Sequence, residues 1–531
     1  MKQATRFTAL CAALVLLLSL GLPAFAGEMR YTPNPDRPAY LDDPAENTKL
    51  TWYFNADWFY TGWGTDPVTR TIKEKLKVDV ELIVGDDTKL NGLFGANEVP
   101  DIVTIFGMNS PMAQNAMTWA LPLNDLADKY DPYFYKAADE QTLAWFQLSD
   151  GKTYGYPSYS NTKTDYESGA IKATTAFVIR EDVYKALGEP KMGTEEEFLS
   201  TLEKIKEQYP ELLPLGMRSF AGSSTGSMGD VFQDFIGVPL MNEEKGYYDR
   251  NLDPEYLRWM RVINKAYRAG MISDDTFADD NTAFEEKVAS GRYATLMASG
   301  TPQLSGAFAK NIAADPTRRY IAIDGPQSAL GNQPTLNQSG ISGWTVTFIS
   351  KNVKDPAKAI QLFTYLISDE GQELYYFGVK GETFDIDPVD GKHYLLPETV
   401  KAREDNIDAF KRDYRLGEFL VFGHDSFFRL HGKDVGNPSI RQMEEWGEGK
   451  LLPHFVLENI EPEDGTAEAR ALQNIWPQWA TTLATMLRAP DDATFDQAIE
   501  DYKAFLDSVG WDKITAIFSE KMQSNAEKLG L

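Results

Sequence analysis

The sequence predicts an α/β protein of two lobes followed by a helical C-terminal portion. Three observations predict it. Strand-like and helix-like runs alternate between residues 49 and 106, the same alternation restarts after Gly151, and beyond about residue 401 apolar side chains recur at helical spacing.

In chain order, residues 27–48 are polar and proline-rich and read as a leader rather than a packed element. Residues 50–54 are a short β-rich run. Residues 68–76 have helical spacing, 78–84 alternate as a strand, an amphipathic stretch ends at Gly95, and 101–106 form another strand. That order argues for a parallel sheet joined by crossover helices. After Gly151, residues 176–179 are a strand and 181–187 a helix. Thr194 fits an N-cap with Glu197 three on, a capping box that opens a helix to Gln208. Residues 294–297 are a buried-strand candidate, 344–349 alternate, and 357–368 follow as a helix. Trp476, Trp479, Leu483, Met486 and Leu487 share a helical spacing, which places both tryptophans in a core.

Composition limits the function. The 531 residues carry a net charge of −27, too acidic for a protein that grips nucleic acid or an anionic membrane through a basic surface. A hydrophobic fraction of 43% excludes a disordered acidic tail. Lys2 and Arg6, an apolar run to about residue 22 and the Ala24-Phe25-Ala26 triplet predict a signal peptide over 1–26, cleaved after Ala26. Cys11, the single cysteine, falls inside that run after Leu10, so no lipid anchor is expected. The mature chain then has no thiol, disulfide or cysteine metal site. No later stretch approaches the roughly 20 apolar residues of a spanning helix. An exported, periplasmic or secreted protein is expected.

Catalytic motifs are missing. The four histidines, His393, His424, His431 and His454, stand in no H-E-x-x-H or Cys/His framework, and a structural role is expected for them. No nucleophile elbow, P-loop or dinucleotide fingerprint follows a strand. Asp385, Asp387 and Asp390 fail the spacing of a calcium loop, and Asp390-Gly391 reads as a hairpin turn. A glycosidase needs two carboxylates flanking a cleft, and no motif marks such a pair.

Seven segments, in order, carry a resemblance. They are Gly95 with Pro100-Asp101-Ile102-Val103; Trp119 to Leu126 (WALPLNDL); Asp150 to Pro157 (DGKTYGYP); Ile179 to Gly188 with Pro190 and Thr194 to Phe198; Phe284 to Gly291 with Ala294 to Met297; Lys354 to Ala359 through Ser368-Asp369-Glu370-Gly371; and Phe505 to Ile517 (FLDSVGWDKITAI). Together these segments resemble the family 1 extracellular solute-binding proteins of ABC importers, in particular the larger oligosaccharide-binding branch. The resemblance implies a two-lobe type II periplasmic-binding-protein fold with ligand in the cleft. Lobe one would take 49–157 and 320–380, and lobe two 158–319 and 381–531. It also implies an oligosaccharide ligand, ABC permease subunits as partners, a monomer, no chemistry and no cofactor. Many members of the branch carry a calcium-loop-like insert after the capped helix. Here residues 207–214 offer too few oxygen ligands, so no metal is expected.

In open α/β sheets, ligands collect beyond the carboxyl ends of the strands. Those ends supply Asp57 and Trp58, Met108 and Asn109, Arg218 and Phe220, and Ser299. Trp344 precedes its strand, Trp63 shares the Gly-flanked loop of Trp58, and Tyr159 follows the crossover at a hinge. Tryptophan faces suit the C–H faces of sugars, with polar groups forking to hydroxyls. The acidity favours a neutral oligosaccharide. A secreted carbohydrate-active enzyme would instead show a cleft carboxylate pair, and a peptide binder would show charged or backbone-pairing groups.

Overall fold

Successive side chains of a strand point to opposite faces, so β1 (Thr48–Phe54) sends Leu50, Trp52 and Phe54 one way and Tyr53 the other. All four are buried, because helices cover both faces. The structure, a computed structural model, describes residues 29–337, 340–418, 422–433 and 436–530. The expected signal segment, with Cys11, lies outside them.

β1 pairs in parallel with β2 (Val78–Val84), which it reaches through α1 (Pro67–Leu76), and with β3 (Ile102–Phe106). The expected parallel sheet holds for these three strands only. β4 (Gly155–Pro157) and β9 (Thr345–Ile349) complete the order β2-β1-β3-β9-β4, and β9 runs antiparallel to both of its neighbours. A second sheet has the order β6-β7-β5-β8, from β5 (Thr175–Arg180), β6 (Leu213–Gly216), β7 (Tyr293–Ser299) and β8 (Tyr320–Ala322). Only β6 and β7 are parallel in it. The capping box at Thr194 forms and opens α2 (Glu195–Gln208).

Three expectations are corrected by packing. The leader is a strap: Ala39, Tyr40 and Asp43 are buried, and Arg30 bridges Asp43 at 2.9 Å and Asp355 at 2.7 Å. Asp43 also lies 3.4 Å from Lys358 on α3 (Pro356–Ile367), a helix buried nearly all round. β8 pairs with β5, so it belongs to the second sheet rather than to lobe one. Phe410, Leu416 and Phe422 fill the first core, so the segment after residue 380 does not pass directly into lobe two. Within it, 384–395 form the hairpin expected at Asp390-Gly391.

The C-terminal portion is helical as expected, with α4 (Ala467–Leu487), α5 (Asp492–Ser508) and α6 (Trp511–Leu529). Trp479 is buried in the second core, whereas Trp476 is 56% exposed, because it faces away from that core. Ile514, Phe518 and Met522 of α6 fill the second core, while Leu529 packs against the first lobe. One helix therefore rests on both lobes.

The lobes are joined by adjoining backbone segments. Ser158 N–H donates to Thr345 O at 3.0 Å, and Asn161 N–H to Gly340 O at 2.9 Å. Glu458 accepts from the N–H groups of Ile341 (3.1 Å) and Ser342 (2.8 Å), and burial raises its pKa. Gly343 is required beside it: its φ is +62°, and a Cβ would collide with the Ser158 carbonyl. Tyr159 holds a left-handed φ of +51°, secured by its N–H to Gly423 O (2.7 Å) and its hydroxyl to Tyr375.

Two outcomes follow from this packing. Glu458→Ala leaves two N–H groups without their acceptor, at about 1–3 kcal/mol each, and lowers the urea midpoint. An unchanged midpoint contradicts the clamp. His454 is buried, its Nε2–H donating to Thr335 O at 2.9 Å, with Asp234 at 4.0 Å and Arg250 nearby. Burial, then Arg250, lowers its pKa to about 4. The unfolded chain takes up this proton first, so stability falls as pH drops from about 6.5 to about 4. The loss is on the order of 3 kcal/mol. His454→Gln flattens that slope in pH-dependent urea unfolding.

Candidate functional site

β9 runs against β3, so its start lies beside the end of β3, with Phe106 opposite Thr345 and Gly107 N–H donating to Trp344 O at 3.1 Å. This pairing puts Trp344 at the carboxyl edge of β1 and β3, where Trp58 also emerges. The two indoles are parallel, 2° apart in plane with centroids at 6.5 Å, and Phe106 lies 5.5 Å from Trp344. Trp58 is 53% exposed, Trp344 40% and Phe106 41%. Three large rings held open to solvent on one edge are costly to hydrate and suit a flat apolar ligand face.

The loop bearing Trp58 is fixed from below. Phe59 is buried and stacks on Phe54 at 4.0 Å, and the Arg415 guanidinium lies 4.8 Å from its ring. Arg415, itself buried, donates to Tyr60 O at 2.6 Å. Asn55 N–H donates to Thr104 O at 3.0 Å. Asp57 is exposed in the same turn. No Asp or Glu lines the small pocket that Phe54, Trp58, Phe106 and Trp344 share.

The remaining expected residues separate into groups. Met108 and Asn109 line a neighbouring pocket of 370 Å³, where Asn109 Nδ2 donates to Glu461 at 3.0 Å. On lobe two, Arg218 donates to the carbonyl of Ser299 at 2.9 Å, so these two meet at the ends of β6 and β7. Tyr159 stands at the hinge. Phe220 is buried against Phe277 at 5.0 Å, and Trp63 is half-buried against the first core, so neither ring is presented as freely as Trp58. Sequence reasoning missed Phe106, although it ends the strand read at 101–106, and it missed Arg415, for which no local signal exists.

A cavity of 670 Å³ lies among Tyr166, Ile171, Met241, Leu451 and Phe455, and none of the expected residues lines it. Its charged members are paired, Lys163 with Glu167, Lys172 with Glu448, and Glu444 with Arg429 outside the cavity. Few polar groups are left free there, whereas the aromatic edge holds three rings open to solvent. Among the described residues, no group of three or more His, Cys, Asp or Glu is placed to hold a metal. No described helix is long and apolar enough to cross a membrane.

Comparison with known proteins agrees with this architecture. Residues 65–373 match the family model of the bacterial extracellular solute-binding proteins. Lipoprotein LipO of Bacillus subtilis (strain 168) is 23% identical over 345 residues, 62% of this chain and 65% of that protein. The match thus spans just under two thirds of that relative. The alginate-binding protein AlgQ2 superposes with a TM-score of 0.62 at 17% identity, over 90% of this chain and 98% of that one. An HMO-binding, ABC-transporter-associated solute-binding protein from Bifidobacterium longum infantis superposes at 0.64 with 14% identity, over 90% and 99%. At these identities the likeness shows the fold, a two-lobe solute-binding architecture.

Proposed function

The chain belongs to the bacterial extracellular solute-binding protein family, and on that premise we propose that it is the exported substrate-binding component of an ABC importer, capturing an oligosaccharide by closure of its two lobes. The observation that carries this reading is the parallel, exposed Trp58–Trp344 pair with Phe106 beside it. Sugar rings present C–H faces to such rings, and each contact contributes roughly 0.5–1.5 kcal/mol beyond its buried area. Asn109, just beyond this edge, and Arg218, at the strand ends of the second lobe, are polar groups that suit hydroxyls.

The chain performs no chemistry in this reading. It holds the ligand between lobes, acts as a monomer, and presents the closed form to permease subunits in a periplasm or outside the cell. An enzyme would need a carboxylate pair at the scissile bond, and the aromatic pocket carries no acid.

Calorimetric titration with neutral oligosaccharides tests the proposal. Saturable binding is expected, with the sugar recovered intact. Trp58→Ala and Trp344→Ala each weaken it by about tenfold or more, at little cost in melting temperature because both side chains are substantially exposed. Trp476→Ala leaves affinity unchanged. Cleavage of the sugar, or full affinity in both edge variants, contradicts the proposal.

A further inference from the structure

We infer that the 370 Å³ pocket between the end of β3, residues 145–149 and α6 receives a carboxylate-bearing unit of the ligand, with Lys528 as its counter-charge. The inference rests on the carbohydrate reading above and names the class of sugar.

The pocket has two walls. Asn109, Gln114 and Gln147 come from the first lobe, and Asn459, Glu463, Lys521 and Lys528 from the C-terminal portion; the Glu463 carboxylate acts on Lys521 rather than on Lys528. The Asn109–Glu461 hydrogen bond ties the walls together, so a ligand here touches both. Lys521 and Lys528 are seven residues apart on α6, two helical turns on one face and roughly 10 Å along it. Lys521 is half-buried and Lys528 is exposed at the pocket rim, and partial desolvation holds both ammonium groups below the usual lysine pKa. Lys521 has company: it donates to the Glu461 carbonyl and feels the carboxylates of Glu461, Glu463 and Asp464.

Lys528 differs. Its Nζ donates to the Trp145 carbonyl at 3.3 Å and lies 5.8 Å from the Trp145 ring, and no described carboxylate pairs with it. In a chain with 79 acidic against 52 basic residues, a cation at a polar pocket that no carboxylate of the described residues pairs with is a place for an acid from outside. A ligand carboxylate would reverse the burial penalty on Lys528, while the neighbouring amides supply donors and acceptors for hydroxyls. The pocket begins at Met108 and Asn109, directly after Gly107, whose N–H is bonded to Trp344. The pocket thus adjoins the tryptophan pair along the chain, and a sugar chain on the pair would have its next unit at this pocket. The net negative charge, which favours neutral ligands at a distance, acts weakly at this range because salt screens it over about 10 Å.

The test compares trigalacturonate with its methyl ester, which keeps the rings and removes the charge, and adds sodium acetate as a free anion. Affinities are measured by calorimetry on the mature protein, on Lys528→Gln and on Lys528→Arg. The free acid is expected to bind about tenfold tighter than the ester or better. Lys528→Gln removes that preference and leaves the affinity for the ester unchanged, Lys528→Arg restores the preference, and melting temperatures without ligand stay equal. Equal affinities for acid and ester overturn the inference and leave sugar capture intact. Preference retained in Lys528→Gln also overturns it, because another cation then reads the charge. Acetate binding at Lys528 without acid-over-ester preference assigns the pocket to a free anion and overturns the sugar-acid assignment. Failure of the carbohydrate reading itself is distinct: no oligosaccharide, neutral or acidic, binds at all.

Discussion

The antiparallel pairing of β9 with β3 and β4 is the constraint on which the rest of the molecule depends. In an all-parallel sheet, starts and ends of strands lie at opposite edges. Here the start of β9 and the ends of β1, β3 and β4 share one edge. The aromatic side chains and the hinge therefore occupy the same place. The chain leaves the first lobe through Pro157 and returns through Gly343, within one hydrogen-bonded ladder, so the proposed closure would act on the edge that carries Trp58 and Trp344.

That hinge combines strength with strain. Buried N–H groups are costly to leave unpaired, and Glu458 satisfies two of them with one carboxylate. Next to it, Gly343 and Tyr159 hold left-handed backbone, a conformation that persists only where surroundings enforce it. A few residues at the ends of strands can absorb a large change in φ and ψ while both cores stay packed, which is the usual construction of domain closure. α6 adds a second link, since it fills the core of one lobe and ends against the other.

Local physics made much of this legible in the sequence. The alternation of residues 78–84, the capping box at Thr194 and the spacing of Trp479, Leu483 and Met486 all form as expected, because each depends on neighbours a few residues away. Trp58 and Trp344 were identifiable as large rings on short Gly-flanked stretches. What was hidden is long-range. Nothing near Tyr320 says that β8 joins the second sheet, and nothing near Phe410 says that it fills the first core. Arg415 reaches Phe59 and Tyr60 across some 355 positions of chain. Lys528 sits in a helix whose last turn looks like an ordinary solvated end until Trp145 is placed beside it. Trp476 fits the same spacing as Trp479 yet points outward, because spacing defines a stripe but not its width.

Capture by lobe closure is the central claim, and small-angle X-ray scattering of the mature protein with and without a saturating bound oligosaccharide tests it most directly. The account predicts a smaller radius of gyration in the bound state, fitted by two unchanged lobes brought together about the hinge. Saturable binding with an unchanged scattering curve would contradict it and make the molecule a rigid receptor.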